Sequence, residues 1–328
     1  MRYLITGGTG FIGPYLIEKL TSEGHTCRCL VRETSDLSQL EKFGVEVVRG
    51  DITKPETLAG MANEVDRVLH LATLGHMANF AVTEDMFEAI NVFGTQNVML
   101  EALRAGVPRV VHCSTVAAMG ICTDNPATEE SACHPHHPYG RSKLKAEHLV
   151  QEMVRQNHLP AVIVRFSMVY GPGDPRDILK LTRLASKGLF PKIGHRPKLT
   201  PMIHAKDAVD GLLLAAEKGR TGEIYLLTNR DALPFDEIRK IILKALGVRR
   251  PPFYLPEWLA LSFAAGVENA FKAVGQTPPV ARKNIESTLA DRVFSSQKAQ
   301  RELGFSPKID PAEGLTETVQ WYRKNEWV

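Results

Sequence analysis

Thr6-Gly7-Gly8-Thr9-Gly10-Phe11-Ile12-Gly13 follows a short apolar run, Tyr3-Leu4-Ile5, and opens a stretch with helical spacing from Ile12 to Glu23. Strand, glycine-rich turn, helix is the order of a nucleotide phosphate loop. Gly7 permits the tight turn, Gly10 lets the backbone approach a pyrophosphate, and Gly13 lets helix and strand pack closely. The free N–H groups at the helix start are offered to an anion. Outward from this loop, apolar runs recur at Cys27–Val31, Val45–Val48, Val68–Leu71, Val110–Cys113 and Val162–Arg165. Helical patterns lie between them, near 12–23, 54–62, 85–105 and 139–157, and Lys54-Pro55 suits a helix start. Strands alternating with helices predict an α/β fold built on a doubly wound parallel sheet.

After Arg165 the alternation breaks into the proline-rich segment 171–201. Residues 202–229 return to it, with a helix near 205–218 and a strand at Glu223–Leu227. Residues 230–328 read as mostly helical. The expected division is a dinucleotide-binding domain of residues 1–170 and 202–229. A smaller, mostly helical substrate-binding region, 171–201 and 230–328, would fold over the carboxyl edge of the sheet, where ligands bind in such folds. The strongly apolar stretch 255–274 reads either as a lid over an apolar substrate or as a core-facing helix.

A chain of 328 residues with 44% apolar content can bury a large core. The net charge of +3 gives no reason to expect nucleic acid as a partner. No apolar run reaches the ~18 residues of a membrane span, and Met1 runs straight into the first strand, so no signal peptide is expected. The cysteines at 27, 29, 113, 122 and 133 are odd in number and lack CxxC spacing, which fits free thiols in a reducing cytoplasm. Cys133-His134-Pro135-His136-His137 has zinc-ligand residue types. Its prolines make one shared site awkward, so no metal is expected, and one of these histidines could line the substrate entrance.

The second motif is Tyr139-Gly140-Arg141-Ser142-Lys143. A four-residue spacing puts Tyr139 and Lys143 on one helix face. A nearby ammonium favours phenolate and should lower the Tyr139 pKa from its ordinary ~10, making it a usable acid or base. The strand-end pair Ser114-Thr115 could hold a substrate oxygen while hydride moves. Strand two ends Leu30-Val31-Arg32, so Val31 occupies the place of the acid that binds a free ribose 2′-hydroxyl. Arg32, with Thr34 and Ser35 beside it, suits a 2′-phosphate. NADP is the expected cofactor, with NAD as the alternative through Glu33. Asp51 closes strand three at the adenine edge, and it could equally cap the stretch after it. His70 reads as a packed histidine, and Asp207 as the cap of the helix that follows it.

With both motifs in place, the chain resembles an extended short-chain dehydrogenase/reductase of the NAD(P)-dependent epimerase/dehydratase and 3β-hydroxysteroid dehydrogenase-like group. The likeness spans nearly the whole length. It includes Asn91-Val92-Phe93-Gly94-Thr95, Tyr170-Gly171-Pro172-Gly173, His204-Ala205-Lys206-Asp207, Ser296-Gln297-Lys298-Ala299 and Glu302-Leu303-Gly304-Phe305. The resemblance implies a Rossmann fold, a small-molecule substrate and a homodimer formed through the 85–105 and 139–157 helices. It gives Thr115 the substrate-hydroxyl role, Tyr139 the acid/base role and Lys143 the ribose-binding role. The expected cofactor contacts are Gly7, Thr9, Gly10, Phe11, Ile12, Gly13, Arg32, Asp51, Ile52, Leu71, Ala72, Thr73, Asn91, Cys113, Ser114, Tyr139, Lys143 and Phe166.

Nucleotide-sugar members usually carry an asparagine where this chain has Met168, and an arginine where it has Thr200. A buried substrate diphosphate without amide or cationic partners would be poorly held, unless Arg196 or Arg282 compensates. His76, Met168, Thr200 and Met202 are the expected substrate-facing residues. The reading is therefore an NADP-preferring oxidoreductase. It would move hydride between nicotinamide and a secondary alcohol or ketone of a largely apolar, steroid- or flavonoid-like substrate. The alternative is an NAD-dependent nucleotide-sugar epimerase. Ala117 and Ala118 stand where a dehydratase would want acids, and a binding protein without chemistry would have no need of both Tyr139 and Lys143.

Overall fold

The computed structural model describes residues 1–75, 82–194, 198–248, 254–273 and 292–328. Its strands are β1 (Arg2–Thr6), β2 (Thr26–Val31), β3 (Glu46–Arg49), β4 (Arg67–His70), β5 (Val110–Thr115), β6 (Ala161–Phe166), β7 (Met168–Tyr170), β8 (Lys192–Ile193), β9 (Leu199–Thr200), β10 (Met202–His204), β11 (Ile224–Leu227), β12 (Leu233–Pro234) and β13 (Tyr254–Leu255). Its helices are α1 (Ile12–Ser22), α2 (Glu84–Phe87), α3 (Gly94–Arg104), α4 (Pro138–Asn157), α5 (Asp177–Ser186), α6 (Ala205–Lys218), α7 (Phe235–Leu246), α8 (Glu257–Ala273), α9 (Gln297–Leu303) and α10 (Pro311–Lys324).

Seven strands form one parallel sheet in the order β11-β6-β5-β4-β1-β2-β3. The winding reverses between β1 and β4, and at such a reversal the carboxyl ends of the strands open a ligand crevice. The two-residue period of a strand supplies both faces with apolar side chains. Ile5, Leu69, Val111 and Val164 meet Leu16, Ile17 and Leu20 of α1 and Ala208 and Leu212 of α6. Leu4, Val68, Val110 and Ile163 meet Val98, Met99 and Ala102 of α3 and Val150 and Met153 of α4. A third core joins Tyr170, Ile178, Met202, Ile238, Leu315 and Tyr322.

Two local expectations are corrected, and a third gains internal detail. The helix expected over 54–62 is only a 3-10 turn, Pro55–Thr57. There Asp51 Oδ1 takes the Thr53 N–H and hydroxyl, the Thr57 hydroxyl donates to the Lys54 carbonyl, and Gly60 turns to φ +77°. Such side-chain bonds compete with helical ones. The helix expected over 85–105 starts at Glu84, capped by Thr83, and runs from α2 through a π-helical turn, Glu88–Phe93, into α3. Asp207 does not cap α6. His204 Nδ1 accepts the Lys206 N–H, and both Asp207 oxygens take backbone N–H groups of Lys308 and Ile309 at 2.9 and 3.0 Å.

In the stretch 255–274 only a narrow face turns to the core. In α8 the small Ala260 and Ala264 are buried, while Trp258 and Phe263 are 68% and 64% exposed. Among the described residues no helix is long and apolar enough to cross a membrane.

One buried ion pair locks α4 to the sheet. Arg165 on β6 meets Glu147 on α4 through Nε at 3.1 and 3.2 Å and Nη2 at 2.7 Å, with side chains 3% and 0% exposed. The Ser114 hydroxyl at the end of β5 donates to Glu147 Oε1. Glu147→Leu strands the Arg165 guanidinium without its counter-ion and should lower unfolding stability by about 3–5 kcal/mol in urea titrations. The double change Glu147→Leu/Arg165→Leu should recover a large part of that loss. A double variant as unstable as the single one would contradict this account.

Candidate active site

The carboxyl ends of β1, β4, β5 and β6 bring the two sequence motifs to one crevice. Gly7 follows β1 with φ +76°, and a Cβ there would lie 2.6 Å from the Ala72 N. The turn closes through Gly10 N–H to Gly7 O and Gly13 N–H to Gly10 O, at 3.0 and 3.1 Å. α1 then begins without a side-chain cap. Close backbone approach and uncapped helical N–H groups are what a pyrophosphate requires, so these residues fit a dinucleotide.

At the end of β5 the Thr115 hydroxyl accepts the Ala117 N–H at 3.2 Å, turning the chain away from the sheet. A Cβ on Gly140 would lie 2.4 Å from the Ala117 carbonyl oxygen. Glycine therefore lets the first turn of α4 seat directly on that turn and sets Tyr139 against Thr115. The Tyr139 hydroxyl is hydrogen-bonded to Thr115 and Thr73. Burial raises its pKa above the ordinary phenol value, while the Arg176 guanidinium and these two hydroxyls pull it down. The net direction is upward.

Lys143, one turn further along α4, is 2% exposed. Its Nζ donates to the Cys113 carbonyl at 2.8 Å and to His112 Nε2 at 3.3 Å. Burial lowers its pKa to about 8, opposed by Cys113 and Glu147. The expectation that Lys143 pulls the Tyr139 pKa down is therefore corrected: the cation acting on Tyr139 is Arg176. An ammonium has three donors, two of which are bound to protein, and the third is available to a ligand.

The histidines around Lys143 are neutral. Burial takes His112 well below its ordinary range and His70 to about 3, with the Lys143 charge adding to both. The Thr95 hydroxyl donates to the Asn91 carbonyl at 2.7 Å, so it must accept from His70 Nε2 at 2.9 Å. That leaves His70 Nδ1 to accept the Thr6 hydroxyl at 2.7 Å. The tautomer follows from the bond network. His70 is thus the packed histidine expected.

Asn91, expected to touch cofactor, has its amide bound within the protein. Its Oδ1 accepts from the Thr73 hydroxyl and Leu74 N–H, and its Nδ2 donates to Leu74 O and Ser142 Oγ. It ties the segment after β4 to α4. Ser114 is likewise committed to Glu147. Thr9 and Gly10 are exposed, Phe11, Ile12, Leu71, Ala72 and Cys113 are half-buried, and Gly13, Ile52 and Phe166 are buried. Arg32 and Asp51 follow the carboxyl ends of β2 and β3, and the Arg32 charge acts on Asp51. Burial raises the Asp51 pKa, but the Thr53 bonds and the charges of Arg32 and Lys54 leave it lowered overall. Arg49 Nη1 donates to the Arg32 carbonyl at 3.0 Å, bringing a second guanidinium to that loop.

Met168 and Thr200 are half-buried. Met202 is corrected as a substrate contact: it is fully buried in the third core and presents no surface. His76, Arg196 and Arg282 lie outside the described residues. Among the described residues no group of three or more His, Cys, Asp and Glu side chains is placed to hold a metal ion. Sequence reasoning missed Arg176. Its only signal was an arginine soon after Tyr170-Gly171-Pro172-Gly173.

The sequence profile of the NAD dependent epimerase/dehydratase family matches residues 3–228. The chain is 28% identical to a 4-hydroxy-2-methyl-3-oxo-4-farnesyl-3,4-dihydroquinoline-1-oxide ketoreductase of Stigmatella aurantiaca, over 96% of this chain and 95% of that one. It is 26% identical to a 3 beta-hydroxysteroid dehydrogenase/Delta 5-->4-isomerase of Mycobacterium tuberculosis, over 98% and 90%. Its structure resembles that of DesIV, a dTDP-glucose 4,6-dehydratase from Streptomyces venezuelae with NAD and TYD bound. There the TM-score is 0.81 and the identity 28%, covering 99% of this chain and 98% of the other.

A charged Lys143 can donate its third proton to a ribose hydroxyl, and binding there favours the charged form. Affinity for NAD(P)H should therefore be full below pH about 8 and fall as pH rises through it. Fluorescence titrations across that range test the point. Lys143→Met should bind weakly and without this pH dependence; an unaltered profile in the variant would contradict it.

Proposed function

The chain belongs to the NAD dependent epimerase/dehydratase family, and we propose that within it the protein is an NADP-preferring reductase of a ketone on a largely apolar molecule. The observation that carries this reading is the Tyr139 hydroxyl, hydrogen-bonded to Thr115 and held as a phenol by burial. A phenol whose pKa lies above its ordinary value is a proton donor at neutral pH, which is what carbonyl reduction needs. Thr115 orients the substrate oxygen toward Tyr139. As hydride reaches the carbonyl carbon, the oxygen takes the Tyr139 proton. Lys143, anchored on the Cys113 carbonyl and His112, directs its remaining donor to the nicotinamide ribose. The bound dinucleotide supplies the hydride.

The NADP preference rests on Arg32, stiffened by Arg49 at the adenine end, with Val31 in place of an acid. The apolar substrate rests on the half-buried Met168, which stands where nucleotide-sugar members carry an asparagine, and on the two relatives, whose names specify a farnesyl quinoline and a steroid. The homodimer rests on Met86, Phe93 and Leu100. They recur every seven residues through α2, the π-helical turn and α3 and are all exposed, so they suit a second copy of the chain. The five free thiols suit a cytoplasmic setting. The likeness to DesIV, a dTDP-glucose 4,6-dehydratase with NAD and TYD bound, bears on the second reading, an NAD-dependent nucleotide-sugar epimerase, only through the cofactor and the nucleotide-linked substrate.

NADPH oxidation with a panel of apolar cyclic ketones separates the two. Wild-type protein should turn over at least one of them. Tyr139→Phe should lose about 10²-fold or more in kcat with little change in cofactor affinity. Arg32→Ala should lose about tenfold in the preference for NADPH over NADH, the worth of one charge-assisted hydrogen bond. NAD retained through purification, with no net NADPH turnover, would overturn the reductase reading.

A further inference from the structure

The loop Gly171-Pro172-Gly173-Asp174-Pro175-Arg176 between β7 and α5 is pinned at several points. The Tyr15 hydroxyl donates to the Pro172 carbonyl and the Tyr322 hydroxyl to the Asp174 carbonyl, both at 2.6 Å. The Asp174 carboxylate, only 2% exposed, takes Arg176 Nε at 2.6 Å and the Arg176 backbone N–H at 3.2 Å. Arg176 Nη2 donates to the Val169 carbonyl at 2.8 Å, and the guanidinium carbon lies 4.9 Å from the centre of the Phe11 ring. One edge of the planar fork is thus fixed. Nη1 has no hydrogen-bond partner among the described residues, and the side chain is 50% exposed. Phe11 stands at the uncapped start of α1. A guanidinium held along one edge therefore lies beside the residue that opens α1, and a fork of this geometry matches phosphoryl oxygens.

The geometry points to Arg176 as a diphosphate clamp that crosses from the β7–α5 loop to the phosphate loop and completes the anion site there. This rests on the reading of residues 7–13 as the dinucleotide site. The contact with Phe11 favours the dinucleotide's own pyrophosphate. The diphosphate of a nucleotide-linked substrate has the same chemistry. Either source also brings the ligand's charge under the Arg176 field that reaches Tyr139.

Removing Arg176 alone leaves the buried Asp174 without its counter-charge, so the test uses Arg176→Lys and the double change Asp174→Asn/Arg176→Gln. ADP-ribose, dTDP and AMP, the last lacking a diphosphate, are titrated calorimetrically into wild type and both variants. The double variant should bind ADP-ribose at least tenfold more weakly, Arg176→Lys should fall between, and AMP should bind all three alike. A loss confined to dTDP would assign the diphosphate to the substrate. ADP-ribose and dTDP binding both variants as tightly as wild type would overturn the proposal. Wild type that binds no ADP-ribose would instead fail the phosphate-loop reading, and the clamp with it.

Discussion

The site depends on the buried ion pair between Glu147 and Arg165. Two charges out of water are tolerable only if they stay paired and hydrogen-bonded, and this pair is bidentate with Ser114 as a further donor. Glu147, Lys143 and Tyr139 lie at four-residue spacing on α4, so fixing the first fixes the rotation of the helix and the direction of the other two. Arg165 is on β6 and Ser114 on β5, next to Thr115. The pair therefore sets α4 against the two strands that supply the rest of the chemistry. Arg165 Nη2 also reaches Cys133 Sγ at 3.6 Å, which fastens the segment leading into α4.

Around Lys143 the protein has built a buried polar environment with little competing charge. His70 and His112 are kept neutral by burial. The Thr6–His70–Thr95–Asn91 chain is satisfied from end to end. The lysine ammonium is held by a carbonyl and an imidazole rather than by a carboxylate, and burial leaves its proton loosely held. Tyr139 is displaced in the opposite sense and keeps its proton. The opposite displacements suit the different tasks proposed for the two groups, Tyr139 as proton donor to substrate and Lys143 as a hold on the cofactor.

Much of this was legible in the sequence because the signals are local. Seven strands announce themselves as apolar runs between turns, and the phosphate loop and the Tyr139–Lys143 pair are short contiguous patterns. What escaped depends on partners distant along the chain. Arg176 gains its meaning from Phe11 on α1. Asp207 looks like a helix cap until the segment after α9 arrives with two N–H groups. Met202 sits near substrate positions in sequence, but the third core takes it up. The 54–62 stretch has helical composition, yet Asp51, Thr57 and Gly60 bond and turn the backbone another way. The Tyr139 pKa was misjudged because spacing shows that Lys143 is near, whereas the Cys113 carbonyl and His112 decide where its ammonium points.

The most direct test of the account is the fate of hydride. With NADPH deuterated at nicotinamide C4 on the transferred face, turnover of an apolar ketone is followed by mass spectrometry of the product. Net reduction with Tyr139 as acid predicts one deuterium on the carbon bearing the new hydroxyl and an equal amount of free NADP. Deuterium that never leaves the enzyme-bound cofactor, while a nucleotide sugar changes configuration, would contradict it.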